Sequence, residues 1–419
     1  MSDNKKLIIG LFGFGVVGEG LYRVLQQTPS LQATIKKVCI KHPEKKRNAP
    51  ESLFTTEKTA LLEDPEINVI VEVIDDADAA FAIAKTSLLN GKAVVSASKK
   101  MIAEHLPELL LLQQQTGLPF LYESAACASI PVIRNLEEYY DNDLLHSIKA
   151  IVNGSTNFIL TRIFEDQLEF DEALQLAQEL GFAESNPKLD IEGYDAVNKW
   201  TFLLTHAYGI VPRPGDILFN GIQQIQLSDA RVAREKASEI KLVAQARKLS
   251  DGTVAALVLP QFVQKQDPLA FVRNEYNGVV IESGFADEQF FYGKGAGSFP
   301  TASAVLSDIS ALRYQYRYEY KKLHQSPAIH LADDYYLRVY ISTEDWSLLP
   351  EAAFEWIDEW FSGQDRNYLT GVIHIRKLKA AAWWKQPGLS LILAAEGIID
   401  PAHLEAQRPK RTISSLETV

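Results

Sequence analysis

Short unbroken apolar runs alternate with segments of helical period over the first third of the chain. Residues 7–12 (LIIGLF) form the first run, and Val17, Leu21, Val24 and Leu25 then recur at the spacing of one helix face. Further strand-like runs lie at 34–40, 67–74, 93–95 and 120–122, with an apolar helix at 80–89 closed by Asn90-Gly91. Strand and helix in repeated alternation predict a doubly wound parallel sheet.

After Leu145 the pattern changes. A strand over 146–152 runs into Asn153-Gly154-Ser155-Thr156-Asn157, a turn that caps an apolar helix at 158–164. An amphipathic helix at 171–180 ends at Gly181, whose place suits a left-handed C-cap. A very apolar helix follows at 195–208. The spacing of Ile240, Leu242, Val243 and Ala246 predicts a long helix over 231–249, followed by strands at 254–262, 278–283 and 289–292. Near the C-terminus, runs at 335–342, 350–361, 368–377 and 389–395 read as strand, helix, strand, strand, and the polar segment 408–419 reads as a mobile tail.

Composition narrows the class. A chain of 419 residues exceeds one ordinary core, so two or three domains are expected. A net charge of −12 argues against a general nucleic-acid or anionic-membrane binder. The two cysteines, Cys39 and Cys127, are far apart and have no CxxC spacing, so neither a disulfide framework nor a structural zinc site is expected. No apolar run reaches membrane-spanning length, and no signal-peptide pattern follows MSDNKK. A soluble cytoplasmic protein is the expectation.

Candidate chemistry enters at three places. Gly13-Phe14-Gly15-Val16-Val17-Gly18 is G-x-G-x-x-G directly after a strand and before a helix. In that setting the glycines let the backbone turn and approach a pyrophosphate, which sits on the helix N-terminus. The second strand ends at Lys41, with Lys45, Lys46 and Arg47 beyond it, where an acid would grip the ribose 2′-hydroxyl of NAD. A basic turn there is either simply solvated or a seat for a 2′-phosphate, and NADP(H) is favoured over NAD(H). Lys99 follows another strand end, on the side where such sheets bind ligands, and a second Gly-rich turn at 293–297 opens an apolar helix. The stretch 181–199 gathers Glu184, Asp190, Asp195 and Lys199. Asp195 and Lys199 share a helix face at i,i+4, and a lysine on so apolar a helix is costly unless paired or turned to a cleft.

The ordered motifs GLFGFGVVGEGL, VVSASKKMIA, YESAACASIP, VNGSTNFILT, the Asp195–Lys199 pair and YGKGAGSFPTASAV together resemble the homoserine dehydrogenase family over about residues 7–312. The resemblance implies NAD(P)-linked interconversion of L-homoserine and L-aspartate 4-semialdehyde, on the route to threonine, methionine and isoleucine, by a homodimer. It implies a Rossmann-type doubly wound parallel sheet plus an α+β substrate and dimerisation domain. The expected division is a dinucleotide-binding domain at 1–135 completed by about 295–320, a substrate domain at 136–294, and a small α+β domain at 321–419 resembling a shortened ACT-type module.

Residue by residue, the resemblance makes Lys199 the catalytic lysine with Asp195 beside it, and Lys99 a contact of both cofactor and substrate; the proton is transferred by either Lys199 or Lys99. Glu184 and Asp190 become substrate-binding acids. Gly13, Gly15, Val16, Val17, Gly18 and Gly297 become cofactor contacts, joined by Lys41 from the basic turn. It also implies a sodium ion in the loop that starts at Glu123, held largely by main-chain carbonyls such as those of Ala126, Ala128 and Ile130. Three departures stand out: Asp75-Asp76 replaces a Gly-Gly pair, Ser96-Ala-Ser98-Lys99 replaces Thr-Ala-Asn-Lys, and Cys127-Ala-Ser129 replaces a glycine-rich run. They motivate a competing reading, a non-catalytic NADP-binding regulatory paralogue. Retention of the acids and the lysine argues against it, because a sensor has no need of an acid–base set.

Overall fold

Strand β1 (Leu7–Phe12) is almost wholly buried, as a central parallel strand must be when helices cover both faces of its sheet. The computed structural model describes residues 6–142, 144–363 and 367–409. The expected tail at 408–419 therefore lies outside the described residues from 410 onward. The chain packs as two compact units: one comprises Met1–Asn142, Thr201–Pro214 and Gly293–Ser326, the other Asp143–Trp200, Gly215–Tyr292 and Pro327–Val419.

In the first unit β1 leads through α1 (Val16–Gln27) to β2 (Ala33–Cys39), β3 (Phe54–Thr55), the short α2 (Thr59–Leu62), β4 (Val69–Glu72), α3 (Ala77–Leu89), β5 (Ala93–Ser96), α4 (Lys99–Thr116) and β6 (Phe120–Leu121). The six strands are ordered β3-β2-β1-β4-β5-β6, with every pair parallel. The strand order reverses between β1 and β4, the switch point where open α/β sheets bind ligands beyond the strands' carboxyl ends. Register sets Phe12 beside Cys39 and Glu72, and Glu72 beside Ser96, so those ends form one row.

One of the sequence departures acquires a structural reason here. Asp76 is the N-cap of α3, its carboxylate accepting the Ala79 N–H at 3.0 Å, so half of the acidic pair replaces an orphan helix-end contact. Ser96 donates from Oγ to Glu72 at 2.6 Å, tying the ends of β4 and β5 together. The run of small residues after β6 is helical rather than a loop: α5 (Glu123–Cys127) is followed by Ala128 at φ 42° and then α6 (Val132–Glu138).

In the second unit β7 (Leu145–Ile151) feeds α7 (Gly154–Glu165) through Asn153, whose side chain caps the helix. Next come α8 (Phe170–Glu179), closed by Gly181 at φ 77°, then α9 (Lys188–Ile191) and α10 (Tyr194–Tyr208), within which the unit boundary falls. The chain continues with β8 (Leu218–Phe219), α11 (Leu227–Glu235), β9 (Ser238–Lys248), β10 (Val254–Gln264), β11 (Tyr276–Ser283) and β12 (Asp287–Lys294). Helix α12 (Ser298–Leu312) returns to the first unit. Then β13 (Tyr336–Thr343), β14 (Phe354–Ser362), β15 (Asn367–His374), α13 (Ile375–Ala380) and β16 (Leu389–Ile399) complete the second.

Two expected helices are strands. The helix expected over 231–249 stops at Glu235, where Ala237 at φ 50° breaks it, and 238–248 become β9. Lying between β7 and β10, β9 is buried on both faces. Ile240, Leu242, Ala244 and Ala246 alternate with polar residues as in a strand, while Leu242, Val243 and Ala246 also satisfy a helical period. The helix expected over 350–361 is instead the edge strand β14, antiparallel to β15. Its charges at Glu355, Asp358 and Glu359 imitate the polar face of a helix, while Phe354 and Trp356 alternate into the core.

The C-terminal strands do not stand apart as a third unit. They continue the second sheet, ordered β12-β11-β7-β9-β10-β16-β13-β15-β14, with β8 on β10. Gln261 of β10 pairs with Leu393 of β16, and one hydrophobic cluster runs from Leu257 and Leu259 to Leu337, Leu369 and Leu391. The observed order strand, strand, strand, helix, strand differs from the ACT-like order anticipated.

Candidate active site

The dinucleotide seat is built where β1 gives way to α1. Gly13 takes φ 95°, and a Cβ on it would lie 2.8 Å from the Val73 carbonyl oxygen. A Cβ on Gly18 would meet the Gly13 carbonyl oxygen at 2.3 Å, so the turn closes only without side chains at both. Gly15 differs: nothing lies within 4 Å of where its Cβ would stand, and it caps α1 with no side-chain bond. The first-turn N–H groups of α1 thus face a space open to an anion.

Helix α12 brings a second glycine-capped start to the same place. Gly297 caps it without a side-chain bond, Ser298 donates from Oγ to the Val16 carbonyl at 2.8 Å, and a Cβ on Gly20 would lie 2.6 Å from that Oγ. Gly13, Gly15, Val16, Val17, Gly18 and Gly297 are therefore brought together as expected, and they fit a pyrophosphate. Beyond β2 a cavity of about 760 Å³ is lined by Lys45, Lys46, Arg47 and Phe54. Arg47 shapes it by donating to the carbonyls of Lys45 and His42, each at 2.7 Å, with its guanidinium 5.5 Å from the centre of the Phe54 ring. Lys41 lies exposed at the end of this strand, and Lys99 is exposed as the first residue of α4.

At the row of strand ends sits an acid that sequence reasoning passed over. Glu72 is fully buried and accepts from Ser96 Oγ at 2.6 Å and from the Ile74 N–H at 2.7 Å. Burial pushes its carboxyl up to about 7, with Asp75 adding to the shift and the two hydrogen bonds opposing it. A carboxyl whose folded pKa is raised keeps its proton longer than the unfolded chain does. Its contribution to stability is complete below the unfolded value near 4.5 and is lost as pH rises through about 7. Glu72→Gln should therefore flatten the loss of stability between pH 5 and pH 8 by on the order of 2–3 kcal/mol. Denaturant titrations of both proteins at the two pH values check this; equal losses would remove Glu72 as the cause.

In the second unit, α10 and the β7–α7 turn assemble a buried charge cluster. Lys199, 5% exposed, donates from Nζ to Asp195 Oδ2 at 2.9 Å and to the Val152 carbonyl at 2.6 Å. An ammonium has three N–H donors, so one remains without a partner among the described residues. The same Asp195 oxygen accepts from Asn153 Nδ2 at 2.8 Å, and that nitrogen also donates to Asp190 Oδ1 at 2.6 Å. Asn153 Oδ1 caps α7 by accepting the Thr156 N–H at 2.8 Å. Lys199, Asp195 and Asp190 are thus brought together, with Asn153 as a member that the sequence showed only as a turn residue. Glu184 is exposed on the loop after α8, and its carboxylate joins none of these bonds.

The loop expected to hold sodium is already engaged. Both carboxylate oxygens of Glu123 accept N–H groups of α6, from Ile133 and Arg134 at 2.8 Å each, and the Ile130 carbonyl accepts the Val132 N–H at 2.9 Å. Ala126 lies inside α5, and Ala128 sits at the strained turn that follows it. Among the described residues no group of three or more His, Cys, Asp or Glu side chains is arranged to hold a metal. Ala126 lies in the last turn of the five-residue α5, and the Ile130 carbonyl carries one hydrogen bond.

A chain that offers both a dinucleotide seat and a buried lysine–carboxylate cluster is equipped for nicotinamide-linked oxidoreduction, and comparison with known proteins assigns it to that class. A family model described as homoserine dehydrogenase matches residues 131–310, and one described as homoserine dehydrogenase, NAD binding domain, matches 13–123. The homoserine dehydrogenase of Bacillus subtilis (strain 168) is 33% identical over 360 residues, covering 81% of this chain and 82% of its own. The chain belongs to the homoserine dehydrogenase family. A crystal structure of a homoserine dehydrogenase from Thiobacillus denitrificans superposes with a TM-score of 0.79 at 27% identity, covering 93% of this chain and 98% of that one. A hyperthermophilic archaeal homoserine dehydrogenase mutant in complex with NADPH gives 0.64 at 26% identity, covering 75% and 100%. No helix among the described residues is long and apolar enough to cross a membrane.

Proposed function

We propose that this NAD(P)-dependent homoserine dehydrogenase works with NADP(H) in preference to NAD(H), and that Lys199 handles the proton at the oxygen of L-homoserine and L-aspartate 4-semialdehyde. The observation that carries the catalytic assignment is the anchored Lys199 ammonium with its one unpartnered N–H. Bound nicotinamide supplies the hydride that reaches the aldehyde carbon. As negative charge grows on the aldehyde oxygen, the Lys199 ammonium stabilises it and delivers the proton, leaving a neutral amine; in the reverse direction that neutral amine takes the hydroxyl proton. Asp195 holds the ammonium in place, Asp190 and the exposed Glu184 receive the substrate's α-ammonium, and Lys99 serves as a further contact of cofactor and substrate. A spectrophotometric assay of homoserine oxidation with NAD⁺ and NADP⁺ separately tests this reading. The retained cluster disfavours the non-catalytic alternative.

The preference for NADP(H) rests on the cavity lined by Lys45, Lys46 and Arg47, which carries cationic groups where a 2′-phosphate would lie. Lys45→Glu with Lys46→Glu should raise KM for NADP⁺ about 10-fold or more and leave KM for NAD⁺ within about 2-fold, since only one cofactor bears the extra phosphate. Equal effects on both cofactors would contradict the assignment. No step is given to sodium. A homodimer is proposed on the exposed Phe271, Phe285, Phe290 and Tyr292 of the second unit, an apolar set suited to an interface. Cytoplasmic residence is proposed on two buried free cysteines, Cys39 and Cys127, which need no oxidising compartment.

A further inference from the structure

Asn153 lies in the turn between β7 and α7, on a different element from the acids it touches. It is 4% exposed, and its side chain serves three partners. One amide nitrogen donates to Asp190 at 2.6 Å and to Asp195 at 2.8 Å, while its oxygen caps α7 through the Thr156 N–H. An amide nitrogen has two N–H groups, and here each goes to a different carboxylate. Two carboxylates drawn to one point repel each other, and that repulsion is strong where water is excluded. A neutral double donor between them removes the repulsion without competing with Lys199 for charge.

We infer that Asn153 is a positioning residue for the reaction, coupling the acid that receives the substrate to the acid that holds the proton-handling lysine. Asp190 and Asp195 are related to each other through its Nδ2, and Asp195 passes that placement to Lys199 through Oδ2 at 2.9 Å. Its second role anchors the bridge, since the bond to Thr156 fixes the amide at the first turn of a twelve-residue helix. Loss of the bridge then affects two kinetic quantities at once. KM for homoserine rises because Asp190 is released, and kcat falls because Lys199 loses its orientation. Cofactor binding, which belongs to the glycine turn of the other unit, is untouched. The inference rests on the proposed roles of Lys199 and Asp190.

Asn153→Ser separates the two roles, because serine caps a helix as well as asparagine but has no amide to bridge two acids. The inference expects a melting temperature near that of the wild type. It expects KM for homoserine up about 10-fold and kcat down about 10-fold or more, as misplacement of a catalytic group does, with KM for NADP⁺ unchanged. Isothermal titration of L-homoserine into enzyme saturated with NADPH, a mixture that does not turn over, should show the same weakening. Asn153→Ala should lose stability as well, through the missing cap. If the wild type oxidises homoserine and Asn153→Ser matches it in kinetics and titration, Asn153 is only a helix cap and the inference is overturned. A wild type that neither binds nor oxidises homoserine overturns the functional reading, and this inference with it.

Discussion

Lys199→Ala is expected to lower kcat for homoserine oxidation by about 10²–10⁴-fold, the range for removing a positioned acid–base group. The lysine has two fixed contacts, to Asp195 Oδ2 and the Val152 carbonyl, which point its remaining donor without help from solvent. Its removal also takes the ammonium away from Asp195, 8% exposed. Breaking one side of a buried pair costs about 3–5 kcal/mol, so some loss of stability in the second unit is expected as well. Fluorescence titration with NADPH distinguishes the two effects, since the cofactor turn belongs to the first unit. Binding near the wild-type value with turnover abolished is the expected pair of results. Turnover within a few-fold of wild type would take the proton-handling role away from Lys199, with Lys99 the next residue to test.

The second large effect comes from two glycines that look equivalent in the motif and are not. Gly18→Ala places a methyl group where the Gly13 carbonyl oxygen stands 2.3 Å away, an overlap of backbone that no rotamer relieves. Helix α1 must shift from β1, and loss of stability of several kcal/mol is expected, at or above the usual range for overpacking of about 1–3 kcal/mol. Gly15→Ala places its methyl group in open space, 4 Å or more from any neighbour. Stability should hold, while KM for the cofactor rises about 10-fold or more because the methyl occupies the approach of the pyrophosphate. Thermal melts and cofactor titrations of the two variants check the contrast. A Gly15→Ala protein with normal cofactor affinity would place the phosphates elsewhere.

The parts legible in the sequence are those carried by local chemistry. G-x-G-x-x-G reads correctly because strand end, turn and helix start are contiguous, and Asp195–Lys199 reads correctly because four residues along a helix bring two side chains to one face. Asn153 was not legible as a bridge, because its partners lie 37 and 42 residues away and meet it only when α9 and α10 pack beside the β7–α7 turn. Glu72 and Ser96 are similarly 24 residues apart and meet through strand register. The misread segments share a different cause. Strand β9 does alternate, Ile240, Leu242, Ala244 and Ala246 against Glu239, Lys241, Gln245 and Arg247, but Leu242, Val243 and Ala246 also fit a helical spacing, and β14 carries helix-spaced charges at an edge. Asp75-Asp76 departs from the family pattern and helped motivate the non-catalytic reading, yet Asp76 has a helix to cap.

The central claim is that this chain carries out an NADP-linked reaction on homoserine in which Lys199 handles the proton. The most direct test follows the absorbance of reduced nicotinamide when purified, folded protein is mixed with L-homoserine and either NADP⁺ or NAD⁺. Reduction of NADP⁺ that depends on homoserine, with a lower kcat/KM for NAD⁺, is the expected result. No reduction of either cofactor by protein shown to be folded and to bind NADPH would contradict it.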